Sequence, residues 1–173
     1  MKRLFALALA LILIAMGMVS CNKTPEETEP TENTFTLGEL TITLPDGFRT
    51  TSPMSNTNQA YIISENYSVT IFRVSHSSIT PNEGYDFPTL EEFFVNSGML
   101  KGIKSAEDIE IVDDMKIFNE NYIGDEEPDV CILLAETDGA FWTVKVESWT
   151  DDYTTVKATA LEWFNTIVFS KAE

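Results

Sequence analysis

Apolar and polar positions run along this chain in two rhythms, and the switches between them mark its elements. Leu40, Ile42 and Leu44 alternate with Thr41 and Thr43 before Pro45-Asp46-Gly47, and Phe35 and Leu37 lead in across Gly38. Strict alternation with one apolar side predicts a half-buried strand. A second β stretch covers Tyr61 to Ile63 and Tyr67 to Val74, with Glu65-Asn66 as its turn. After Pro88 the rhythm changes. Thr89 with Glu92 three residues on fits a reciprocal N-terminal cap, and Leu90, Phe93, Phe94 and Met99 supply the apolar side of a helix. Ile109 to Val112 and Met115 to Ile123 then read as strands around Asp113-Asp114.

The strongest local pattern follows. Val130 to Glu136 and Ala140 to Trp149 flank Asp138-Gly139, a dipeptide suited to a tight type I′ hairpin. Pairing Thr137 with Ala140 sets Ala135 opposite Trp142, Leu133 opposite Val144 and Cys131 opposite Val146, all six on the side expected to face the core. The other side pairs Leu134 with Thr143 and Ile132 with Lys145, a mixed surface for a helix or loop to cover in part. From about Asp152 to Ile167, Val156, Ala160, Trp163, Phe164 and Ile167 recur at helical spacing, with Asp151 or Asp152 as N-cap. Strands, a central helix, a meander and a final helix predict an α+β sandwich, mainly antiparallel, in one domain over residues 34–173.

Ahead of that domain the pattern is of another kind. Lys2 and Arg3 lead into an apolar run from Leu4 to Met18, then Val19, Ser20 and Cys21, after which the chain turns polar at once. A basic start, a short apolar run and small residues before a cut describe a secretory signal over residues 1–20. With cysteine first after the cut, Met18-Val19-Ser20-Cys21 resembles the lipobox of bacterial lipoproteins. The resemblance implies lipid attachment at Cys21 and a place in the bacterial cell envelope, on the extracytoplasmic side of a membrane. Two or more acyl chains, at about 0.8 kcal/mol per buried methylene, anchor a protein stably. The stretch from 22 to 33 holds no aliphatic or aromatic residue and four glutamates, so residues 21–33 read as an acidic tether.

Charge narrows the partners. Without Lys2 and Arg3, nine basic residues face 28 acidic ones, a net charge of −19. Nucleic-acid binding depends on cationic side chains that neutralise phosphates, so that class is excluded. Catalytic patterns are missing as well. His76 lies alone among Ser75, Ser77 and Ser78, with no third orienting group in view. If Cys21 carries lipid, Cys131 has no disulfide partner and sits in an apolar run as a small hydrophobe. No phosphate-binding or dinucleotide loop occurs, and no cofactor is expected. The acidic turns at Asp113-Asp114, Asp125-Glu126-Glu127-Pro128-Asp129 and Asp151-Asp152 lack the spaced ligand pattern of a calcium loop and read as solvated turns. Trp149 and Phe141 share the mixed side of their strand; an exposed aromatic at a strand end is a candidate contact for a glycan or a protein partner.

Two blocks carry a wider resemblance. Phe35-Thr-Leu-Gly-Glu-Leu-Thr-Ile-Thr-Leu-Pro-Asp-Gly-Phe48 is a strand ending in proline, glycine and an aromatic residue, and Ala140 to Ser170 is an aromatic strand feeding an acidic cap and a helix. Together they resemble the PsbP/DcrB-like fold, shared by photosystem II extrinsic subunits, a Ran-binding import factor and envelope lipoproteins. The resemblance implies a non-catalytic protein that binds a protein partner or assists assembly of a complex. The alternative is a module for a small ligand, calcium or a glycan.

Overall fold

The computed structural model describes residues 32–51, 58–79, 87–120 and 127–170. The expectations for the signal, for Cys21, for most of the tether and for Asp125-Glu126 lie outside them. Two sheets form. The smaller has the order β1 (Glu32–Leu37), β2 (Leu40–Pro45), β10 (Val168–Phe169). The larger is a seven-stranded sheet in the order β3 (Arg49–Thr50), β4 (Gln59–Ile63), β5 (Tyr67–Ser75), β9 (Ala140–Ser148), β8 (Asp129–Thr137), β7 (Met115–Asn119), β6 (Glu110–Val112). Every neighbouring pair is antiparallel. The helices are α1 (Leu90–Ser97) and α2 (Tyr153–Phe164). The α+β class is as the pattern of elements predicts.

The register of the long hairpin holds residue for residue: Thr137 opposes Ala140, Ala135 opposes Trp142, Leu133 opposes Val144 and Cys131 opposes Val146. Its turn differs. Neither Asp138 nor Gly139 takes a positive φ, as a type I′ turn requires. The turn peptide is engaged by the residue that follows β5, where the His76 amide donates to the Gly139 carbonyl at 2.9 Å. The type I′ signature appears at Asp113 (φ 47°) and Asp114 (φ 67°), which close β6 onto β7. That is a conformation acidic residues adopt more readily than most.

Element ends show how local chemistry sets boundaries. The Thr89 hydroxyl accepts from the Glu92 amide and the Glu92 carboxylate accepts from the Thr89 amide, as the spacing predicts. Gly98 then takes φ 68° and ends α1, so Met99 lies past the helix rather than on its apolar side. Asp152, not Asp151, caps α2, accepting from the Thr155 amide at 2.9 Å. This helix stops at Phe164, short of Ile167. The Thr166 hydroxyl is drawn to β2, accepting from the Thr43 amide at 3.0 Å, and the chain turns extended to form β10. At the other end β1 begins at Glu32, so Glu32 and Asn33 pair with Pro45 and Leu44 instead of belonging to the tether.

Alternation on β8 and β9 divides their side chains between two cores. One holds Cys131, Leu133, Trp142, Val144 and Val146 against Leu37, Leu40, Ile42 and Leu44 of the small sheet and Val156, Ala160, Trp163 and Phe164 of α2. The other holds Val130, Ile132, Leu134 and Phe141 against Leu90 and Phe94 of α1, with Ile103 and Phe118. The side read as mixed is therefore a second core. Its cover, α1, comes from about 40 residues upstream, and alternation within the hairpin carries no information about it.

Candidate functional site

Trp149 and Phe141 do not form one surface. Trp149 follows the last residue of β9 and is 70% exposed. It sits in a braced turn, where the Ser148 hydroxyl accepts from the amides of Thr150 and Asp151 at 3.3 and 3.2 Å. Phe141 lies at the far end of the same strand and is wholly buried. Its ring packs on His76 (4.6 Å between centroids), Phe93 (4.9 Å) and Phe87 (5.8 Å). It is a core residue, and the partner contact expected of it is withdrawn. Trp142 is wholly buried and Trp163 nearly so, so acrylamide is expected to quench one tryptophan only. Trp149→Phe should abolish the quenchable emission; residual quenching in that variant would mean that another indole is reached.

The remaining candidates resolve into structural roles. Asp113-Asp114 form the β6–β7 turn, Asp151 accepts from the Tyr67 hydroxyl, and Asp152 caps α2. Among the described residues no three His, Cys, Asp or Glu side chains converge on a point that suits a metal ion. The Ser75 and Ser77 hydroxyls bond each other and that of Ser78 bonds the Ser75 carbonyl, so these bonds bind the serines among themselves and to backbone. His76 Nε2 is buried without a hydrogen-bond partner, 3.8 Å from Glu136 Oε1. Cys131 is fully buried, and burial pushes its thiol up to about 12. The thiolate is the reactive form. Native protein is expected to leave Cys131 unalkylated by iodoacetamide at mildly alkaline pH while urea-unfolded protein reacts to completion, as read by mass spectrometry. Labelling of the native form at a similar rate would refute this.

Two grooves open on the α1 face of the large sheet. The first, of about 350 Å³, is lined by Thr70, Phe72, Met99, Ile132, Thr143 and Lys145 with Glu120 at its edge. Lys145 Nζ lies 2.7 Å from Glu147 Oε1 and 3.8 Å from Glu120 Oε2. Glu147 accepts from the Ser68 hydroxyl, and Glu120, only 5% exposed, accepts from the Lys101 amide at 2.7 Å. A half-buried network of this kind is fixed in place by its own partners. Its members come from β5, β9 and the segments that follow α1 and β7. Only the polar positions 143, 145 and 147 on an otherwise buried strand hint at it in the sequence.

The second groove, of about 440 Å³, runs between α1 and the edge strand β6. Val95 and Ile109 form its apolar floor with Ile111 beside them, and Glu91, Glu92 and Lys116 add charged lining. The Lys116 ammonium, 2.5 Å from Glu91, holds that carboxyl below the ordinary carboxylate range, against the opposing effect of burial. The pair's contribution to stability is present above the ordinary carboxylate pKa and is lost as pH falls through the lowered one. Ile111 is 69% exposed. In the sequence it belongs to an ordinary apolar run, because strand order, and hence which strand is an edge, is a property of the topology.

No family model matches the chain, and no curated protein resembles it at a significant level. Among solved structures it is similar to the solution structure of cyanobacterial PsbP (CyanoP) from Synechocystis sp. PCC 6803, with a TM-score of 0.53. The likeness covers 87% of this chain and 98% of that one at 12% identity, which establishes a PsbP-like fold.

Proposed function

We propose that this protein is a lipid-anchored, non-catalytic accessory protein of a bacterial cell envelope, which binds a protein partner or helps a complex assemble. The observation that carries the reading is the apolar groove at Ile111 on a PsbP-like fold, beside a strand that has no further strand on its outer side among the described residues. An isolated exposed apolar residue is ordinary, but a groove with an apolar floor next to open backbone is the form of a protein-recognition surface. The Met18-Val19-Ser20-Cys21 pattern supports anchoring at Cys21, and among the described residues no helix is long and apolar enough to cross a membrane. A high negative charge suits a body held off anionic headgroups by its tether, which spans at most about 40 Å when extended.

The test is photo-crosslinking in cells with pull-down, comparing the wild type with Cys21→Ala. A discrete partner captured only from the anchored protein is the expected result; background recovery from both sinks the reading. The groove over Glu120, Lys145 and Glu147 favours a second reading, a module for a small polar ligand. Calcium and glycan titrations of the full chain, followed by amide shifts of Lys145 and Trp149, decide it.

A further inference from the structure

We infer that β6 and the groove beside it dock an extended, basic, alternately apolar segment of a partner protein, which adds to the large sheet as an eighth strand. The inference rests on the partner-binding reading above and specifies its surface and the chemistry of its occupant.

β6 is the outermost strand of its sheet, with no strand beyond it among the described residues. The two-residue turn at Asp113-Asp114 makes Val112 and Met115 a hydrogen-bonded pair, and the antiparallel ladder then alternates. Val112 and Glu110 bond inward to β7, which leaves the amide and carbonyl of Ile111 directed outward. Proteins blunt such an edge by keeping it short or by a charge, a proline or a bulge; β6 is three residues long and carries Glu110, but that glutamate bonds inward and its side chain is on the opposite face from Ile111. Here the outward residue is an isoleucine, and its side chain lies on the same face as Lys116, next to the groove floor of Val95 and Ile109. An added strand would gain main-chain bonds at Ile111 and seat every second side chain in the groove.

Charge sets the chemistry of that strand. β6 is bracketed in sequence by Glu107 and Asp108 on one side and Asp113 and Asp114 on the other, all exposed. The nearby lysines Lys116 and Lys157 are already committed to Glu91 and Glu110 at 2.5 and 2.7 Å, and Lys104 offsets Asp108, which leaves Glu107, Asp113 and Asp114 in excess. The excess negative charge selects lysine or arginine at the alternate, solvent-facing positions of the incoming segment, and disfavours a second copy of this acidic chain.

The probe is a synthetic nonapeptide alternating valine and lysine, titrated into the 15N-labelled full chain, with a valine–glutamate peptide as control. The lysine peptide is expected to shift the Ile111 amide saturably and slow its hydrogen exchange, while the glutamate peptide does neither. Ile111→Pro removes the outward amide without breaking an internal bond, because an edge accepts proline where the N–H faces away. It is expected to weaken binding at least tenfold with the remaining spectrum unchanged. Should that variant misfold, Ile111→Thr keeps the strand and removes the apolar contact, and is expected to weaken binding several-fold. Equal binding of both peptides, or shifts that avoid β6, overturn the inference. Photo-crosslinkers at 111 and at 149 in cells separate it from the broader reading. Capture from 149 alone overturns docking at β6 and leaves an accessory protein that binds elsewhere; capture from neither, with no peptide binding, overturns both.

Discussion

Trp142→Ala is expected to destabilise the protein by about 3–5 kcal/mol, the range for a large aromatic removed from a rigid core, and to lower Tm by about 10–20 °C. Trp142 is wholly buried where the two sheets meet. Its ring lies beside the β1–β2 turn, where a Cβ on Gly38 would meet it at 3.6 Å, with Phe169 of β10 at 5.8 Å. The Arg73 guanidinium stands 5.5 Å from the ring centroid, and Nε1 donates to the Thr137 hydroxyl at 3.3 Å. Thr137 in turn donates to Glu39 in the β1–β2 turn. Removing the indole thus opens a cavity and also cuts the polar link between the small sheet and the hairpin. Urea titration followed by circular dichroism measures the cost. A loss under about 1 kcal/mol would mean that the small sheet collapses onto the space, and would refute the account of Trp142 as the joint.

Phe141→Ala, one residue earlier, is expected to cost a similar 3–5 kcal/mol, to order of magnitude about the same, through the opposite face. Phe141 is the centre of an aromatic group, with Phe93 and Phe94 of α1 at 4.9 and 6.3 Å and His76 and Phe87 on its other sides. These rings hold α1 to the sheet. Hydrogen exchange distinguishes the two variants, because local opening begins in the element whose packing has been removed. In Phe141→Ala the amides of α1 should exchange faster at low urea, ahead of global unfolding, with α2 unaffected. In Trp142→Ala the early exchange should appear in β1, β2 and β10. The same amides exchanging early in both would show that the two cores open as one unit.

These neighbours also show what the sequence discloses. Alternation assigns Phe141 and Trp142 to opposite faces and fixes the β8–β9 register, because a slip by one residue would exchange every side chain. It does not say that both faces are covered. Whether a face is core or surface depends on α1, whose capping box is plain in the sequence but whose docking place is not. The motif blocks behind the resemblance are more informative. Phe48, the aromatic that ends the first, packs edge-on against Trp163 of the second at 5.1 Å, so the two stretches meet in one core. The surfaces are harder to read. Glu120, Lys145 and Glu147 converge only through strand pairing, and Ile111 looks like any strand residue until β6 proves to be an edge. Trp149 is legible as a strand-end aromatic, while Phe141 misleads because it shares that side of the strand.

The pairing of β10 with β2 has a consequence in time. Val168 and Phe169 bond to Thr41 and Leu40, and the Ser170 amide bonds to the Glu39 carbonyl, so the tenth strand in sequence pairs with the second. Strand contacts this distant in sequence cost the most loop-closure entropy and slow folding. A ribosome, or a channel threading the chain, withholds the third strand of the small sheet until residues 168–169 have emerged. The small sheet is completed only then, and the stretch of chain that emerges ahead of β10 stays loose enough to be threaded.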